Sequence, residues 1–151
     1  MPNPTVELQA KIRSTIPLSE AMKFEIVELD DNSIQVRAPL SPNVNIHGTG
    51  FAGSIYSLAV LTGWAMCMHI LTSEKIDGDL VVGKAEIKYR SAVTGDIDCR
   101  CVINESVRLS FIERIAASGK AKVELEVVVG GEANAILSGV FFVSQKASLK
   151  D

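Results

Sequence analysis

The chain has 151 residues and a mass of 16.2 kDa, room for one domain spanning 1–151 and not for two of ordinary size. Apolar residues make up 47% and charged residues 22%, which excludes a disordered chain. The net charge is −3, from 15 basic and 18 acidic residues spread along the sequence, and no basic patch points to nucleic acid.

The first turn signal is Asn3-Pro4, an N-cap followed by proline at the first helical position. Leu8, Ile12 and Ile16 then give one apolar helical edge. Phe24 to Leu29 is strand-like, and Ile34, Val36, Ala38 and Leu40 alternate with polar neighbours. Asp30-Asp31-Asn32 between them predicts a hairpin turn. No Asp, Glu, Lys or Arg occurs between Arg37 and Glu74. Inside that gap runs the apolar stretch Phe51 to Leu71, long enough to cross a bilayer. Gly53, Ser54, Ser57, Thr62, Gly63 and His69 make it too polar for a good lone span, and its flanks read as strands. A helix apolar all round is then one buried all round.

Period-2 alternation returns after it. Ala85, Ile87 and Tyr89 oppose Lys84, Glu86, Lys88 and Arg90, and Thr94-Gly95-Asp96 reads as a turn. Ile97, Cys99, Cys101 and Ile103 share a face, as do Ala121, Val123, Leu125, Val127 and Val129. Ser110 to Glu113 forms a capping box for a short helix ending before Gly119. Gly130-Gly131 predicts a two-residue hairpin turn into a last strand from Ala133 to Ser144. The order is helix, hairpin, long helix, then a four-stranded meander with a short helix inside it. An α+β fold results, one antiparallel sheet curled around one central helix.

Three cysteines form no disulfide framework and no secretory signal is visible, so a cytoplasmic setting is expected. Cys67 reads as core filler. Cys99 and Cys101 lack further ligands for a metal site.

The segment that can carry chemistry is Ser41 to Ser57, SPNVNIHGTGFAGSIYS. A polar, glycine-rich loop enters the long helix, where free N–H groups and the helix dipole suit an anion or an oxyanion. Thr49 or Gly50 is the expected N-cap. Asn45 is either a site residue or a turn former. His47 is either a general base or a ring that stiffens the loop. Ser57 and Thr62, within the helix, are expected to bond back to its backbone. His69 near the helix end suits the dipole there.

Asn45-Ile46-His47-Gly48-Thr49-Gly50-Phe51-Ala52-Gly53-Ser54-Ile55-Tyr56-Ser57-Leu58-Ala59 resembles the helix-entry motif of hotdog-fold acyl-thioesterases. Ala85 to Asp96 resembles the strand and turn that follow the helix in that family. Leu61-Thr62-Gly63-Trp64 brings the chain nearest to the thioesterase domain found alone or fused behind an acetyltransferase domain in some bacteria. The resemblance implies a hotdog fold of five to six strands around the helix, and a homodimer, or a tetramer, with sites at the subunit interface. It implies a thioester substrate carried by coenzyme A or acyl carrier protein, with no cofactor and no metal. It places the catalytic groups at Asn45, His47 and the backbone N–H of Ala52 or Gly53. Thr49, Phe51, Ser54 and Arg90 are the candidate substrate-binding residues. Taken by their own positions, Lys88, Arg90 and Arg114 read first as charges on a solvated strand or helix face, with contact to coenzyme A phosphates as the alternative. Two departures stand out: Phe51 replaces a common His, and Val60 replaces a common Asp or Glu. A hotdog dimer that binds an acyl carrier without turnover is the alternative, and a dehydratase ranks below both for want of an acid on the helix.

Overall fold

The computed structural model describes residues 3–146. The N-terminal helix α1 (Pro4–Thr15) starts as its sequence predicts: the Asn3 side chain accepts hydrogen bonds from the N–H of Thr5 at 2.9 Å and of Val6 at 3.3 Å. Pro17 ends it, and Ile16 becomes the joint to a second helix, α2 (Pro17–Met22), that the single apolar edge did not reveal. Strands β1 (Glu25–Leu29) and β2 (Ser33–Ala38) pair as the expected hairpin. A 3-10 turn (Ser41–Asn43) leads to the central helix α3 (Ala52–Ser73). Then follow β3 (Gly78–Tyr89), β4 (Ile97–Val102), α4 (Glu105–Ser118), β5 (Lys120–Val129) and β6 (Ala135–Gln145).

All six strands form one antiparallel sheet in the order β1-β2-β4-β5-β6-β3. This corrects the meander. β3 pairs with β6 from Gly78↔Gln145 to Tyr89↔Ala135, so Thr94-Gly95-Asp96 is no hairpin turn but part of a crossing from one side of the sheet to the other. Alternation sets which face a residue takes and says nothing about which strand lies next to it. Two further corrections are local. α4 begins at Glu105, where Asn104 accepts from the Ser106 N–H at 2.8 Å, so Ser110 lies inside the helix rather than capping it. Residues 130–134 replace the two-residue turn, because Asn134 reaches away to donate to Ser91 Oγ and Ala92 O.

The sheet wraps α3, whose side chains Leu58, Ala59, Ala65, Met66 and Cys67 are fully buried. By length and composition α3 could cross a membrane, yet two-thirds of its most apolar stretch (67%) is covered by the rest of this chain. It is a core helix. Burial is not complete, however: Tyr56 is exposed, and Ser57, Val60 and Trp64 remain partly open along one stripe. Thr62 Oγ1 donates back to Leu58 O at 2.7 Å, as expected of a helical threonine. The thiols of Cys99 and Cys101 are buried in the core, which pushes both up to about 12. Burial also lowers the pKa of His69. Asp31 opposes that shift, Arg108 adds to it and Asp30 opposes it.

The two sheet edges differ. Beside β1, Gln9 of α1 acts as a substitute strand: its Nε2 donates to Phe24 O at 2.7 Å and its Oε1 accepts from the Ile26 N–H at 2.8 Å. Among the described residues β3 has a neighbour only at β6, and Val81, Val82 and Tyr89 along it are exposed.

Gly63 sets how close α3 lies to the sheet. A Cβ there would sit 2.7 Å from Cζ of Phe141, a fully buried ring on β6. Gly63→Ala gains up to ~1 kcal/mol of helix propensity but overpacks the core at about 1–3 kcal/mol. Urea unfolding of this variant should show net destabilisation; a stabilised Gly63→Ala would contradict the close packing.

Candidate active site

The first turn of α3 has no side-chain cap. Phe51 occupies the N-cap position, with φ −72° and ψ 128°, and brings no capping oxygen. Its own N–H donates to Asn43 O at 2.8 Å, and its carbonyl accepts from the Ile55 N–H at 2.9 Å. The N–H groups of Ala52, Gly53 and Ser54 have no acceptor among the described residues. Ala52 and Gly53 are exposed. Three donors therefore converge on open space at the positive end of a 22-residue helix.

The expected capping residues are engaged elsewhere. Gly50 donates its N–H to Val93 O at 2.8 Å. The Thr49 hydroxyl accepts from Asn45 Nδ2 at 2.9 Å. Asn45 is the hub of this loop. Its Nδ2 also donates to Gly50 O at 3.2 Å, while Oδ1 accepts from the N–H of His47 at 2.8 Å and of Thr49 at 3.1 Å. Two donor and two acceptor bonds saturate a side-chain amide. Asn43, buried beneath the loop, ties it to the rest of the fold by donating to Met22 O and Pro39 O, each at 2.9 Å. Gly48, at φ +81°, provides the reversal between His47 and Thr49.

His47 is exposed, and its ring makes no hydrogen bond among the described residues. Only its backbone is held, through Asn45. Phe51 is half-exposed and its ring lies over Gly53, where a Cβ would stand 2.6 Å from Phe51 Cε2.

Asn45, Thr49, Gly50, Ala52, Tyr89, Arg90 and Ser91 line a crevice of about 350 Å³ together with the apolar side chains of Ile55, Ala92 and Val93. Of the residues singled out in sequence, the structure brings Asn45, Thr49, Gly50, Ala52 and Arg90 together in this crevice, while His47, Phe51, Gly53 and Ser54 do not line it. No carboxylate lines this crevice. Arg114 lies apart, in a cleft of about 620 Å³ with Lys122 and Glu124 that shares no residue with the crevice. Tyr89 went unrecognised in sequence as a site neighbour. Its hydroxyl donates to Ala52 O at 2.8 Å, pinning the start of α3 to the end of β3. Asn134 holds the crevice wall through Ser91 and Ala92. Neither carries a spacing signal, because each partner is distant along the chain.

One antiparallel sheet curled on one long helix, with an open glycine-rich helix start, defines a hotdog-fold protein of the thioesterase class. The family model described as "Putative thioesterase (yiiD_Cterm)" matches residues 5–145, and the chain belongs to that YiiD_C family. Among solved structures it is similar to a "putative thioesterase" from Shewanella oneidensis, at 37% identity and a TM-score of 0.82 over 93% of this chain and 96% of that one. A protein of unknown function from Chlorobaculum tepidum matches with 27% identity and a TM-score of 0.90 over 94% of each chain. A "Probable Thioesterase" from Pseudomonas aeruginosa shares the fold at 21% identity and a TM-score of 0.81, covering 97% of this chain and 99% of that one.

The four bonds of Asn45 make it the strut of the loop. Asn45→Ala strips the acceptor from the part-buried Thr49 N–H, a loss of about 1–3 kcal/mol. Amide hydrogen exchange at His47 and Thr49 should quicken in this variant. Unchanged protection at both would show that the loop is held by other means.

Proposed function

We propose that this protein hydrolyses an acyl thioester of coenzyme A or acyl carrier protein to a free acid and a thiol. The observation that carries this reading is the set of three unpartnered N–H groups at the start of α3. Such donors fit the oxyanion that develops when water attacks a thioester carbonyl.

In this reading the carbonyl oxygen sits against the N–H of Ala52 and Gly53, with Ser54 beside them. Water adds to the carbonyl carbon and passes its proton to the His47 imidazole. The tetrahedral intermediate collapses, the C–S bond breaks and the leaving sulfur takes a proton from His47. Asn45 is then a positioning residue, acting through the His47 backbone that its Oδ1 holds at 2.8 Å. Thr49, Phe51 and Arg90 flank the substrate, with Arg90 as the cation nearest the crevice. Val60 supplies no base, so most of the rate must come from the backbone donors. That same observation favours the second reading, an acyl carrier-binding module without turnover.

The active form is proposed to be a homodimer. The β3 edge supports this, since a twelve-residue strand with open backbone and exposed Val81 and Val82 is a pairing surface. Ile46, 94% exposed at the tip of the site loop, is a second apolar group that a partner copy would cover. Sedimentation should give a mass near twice 16.2 kDa, and a monomer at working concentration would remove this part of the proposal.

Ala52→Pro tests the donor directly. Proline is tolerated at the first helical position, and the extended Phe51 backbone is the conformation that a following proline requires. The change deletes one N–H and leaves the helix in place. Thiol release from acyl-CoA and acyl carrier protein panels should fall by roughly 10²–10³ in kcat with little change in thermal midpoint. Full activity in Ala52→Pro would exclude this donor. Binding without thiol release by the wild type, on both panels, would replace hydrolysis with the binding reading.

A further inference from the structure

We propose that the uncovered stripe of α3 seats the acyl group of the substrate, with the α1–α2 corner as its second wall and Trp64 at its far end. This rests on the thioester reading above and names the part of the substrate the site selects.

The groove is a cavity of about 270 Å³ between Ile16, Leu18 and Met22 on one side and Tyr56, Val60 and Trp64 on the other. No charged side chain lines it. Leu18 and Tyr56 leave 55% and 37% of their surface in water, which an apolar occupant would cover.

Its position identifies the occupant. Gly53, Ser57, Val60 and Trp64 follow one another at helical spacing of three and four, so they form one row. That row begins at a free N–H and ends at the Trp64 ring, roughly 16 Å further along the helix axis. On the other side of the same first turn lies the crevice, where Asn45, Thr49, Arg90 and Ser91 offer hydrogen-bonding groups among apolar neighbours. A thioester has two arms of opposite character. With its carbonyl oxygen on the helix start, the polar pantetheine arm, shared by coenzyme A and acyl carrier protein, fits the crevice. The hydrocarbon arm fits the groove. The Phe51 ring over Gly53 covers the joint between them.

Trp64 makes a firm end wall. Its Nε1 donates to Leu80 O at 2.9 Å, which fixes the indole to β3. The volume of about 270 Å³ falls just below the usual range of ligand pockets, roughly 300–1,000 Å³. The geometry therefore selects a medium-length straight acyl chain over a long one.

Trp64 is the only tryptophan in the chain, so its emission reports on the groove. The test titrates wild-type protein with S-alkyl-pantetheine thioethers, from methyl to dodecyl, which cannot be hydrolysed. Trp64 emission should shift to the blue, and affinity should tighten about fourfold per methylene up to the medium chains and then level off. In Val60→Phe, which puts a larger ring into the middle of the groove, the octyl-to-methyl affinity ratio should fall. Affinity indifferent to chain length, or an unmoved Trp64, would overturn the proposal. So would emission that follows protein dilution and not ligand, since a second copy would then cover the groove. Thiol release from acyl-CoA and acyl carrier protein of the same chain lengths is measured in parallel. Release without a Trp64 response overturns the groove and keeps the hydrolase. A length-dependent response without release keeps the groove and overturns hydrolysis.

Discussion

Burying a 22-residue helix that carries no charge is the constraint on which the rest of the structure depends. Its apolar side chains project in nearly every direction, so one flat contact surface cannot cover them. A twisted antiparallel sheet can, because its strands rotate relative to one another as they pass around the helix. Inward-facing residues from Ile34 on β2 to Phe141 on β6 reach a continuous core with Leu58, Met66 and Ile70. Gly63 lets the helix come close enough for that contact.

The same constraint explains where the site lies. A sheet can cover the sides of a helix but not its start, where the first N–H groups have no intrahelical partner. Those groups must meet water, a side-chain cap or a ligand. Here the polar residues near the helix start bond to one another. Asn45 holds Thr49, and Gly50 holds Val93. The helix start is left open, framed by a loop in which Asn45 makes all four of its side-chain hydrogen bonds. Rigid donors in a region free of carboxylates stabilise a developing negative charge without having to reorganise.

Much of this fold was legible because it rests on local patterns. The Asn3-Pro4 start, the Asp30-Asp31-Asn32 turn and the helix from Phe51 onward each follow from a few adjacent residues. Which strands lie side by side did not follow. The pairing of β3 with β6 depends on contacts between residues such as Ile87 and Leu137, far apart in sequence and alike in pattern to many others. The loop composition and the resemblance single out Ser41 to Ser57, the segment that leads into the start of α3. They did not reveal that Asn45 spends all its hydrogen-bonding capacity within the loop, or that Tyr89 pins Ala52. Both facts arise from three-dimensional closure, which spacing along the chain does not encode. The N-cap expectation failed for a related reason: Thr49 has a capping hydroxyl, but Asn45 takes it.

That diversion has an energetic meaning. A serine or threonine N-cap is worth about 1 kcal/mol over a residue without a capping oxygen. The chain holds suitable groups within two residues of the cap position and places a phenylalanine there instead. The forgone stability leaves the N–H groups of the first turn unclaimed. Local preferences and global structure normally agree in a folded protein, and disagreement concentrates at functional sites. The uncapped start of α3 is such a disagreement. It combines missing cap, occupied neighbours and a half-exposed aromatic ring at one place. A purely structural role for the loop would account for the bonds of Asn45, but it gives no reason to place an apolar ring at the cap position.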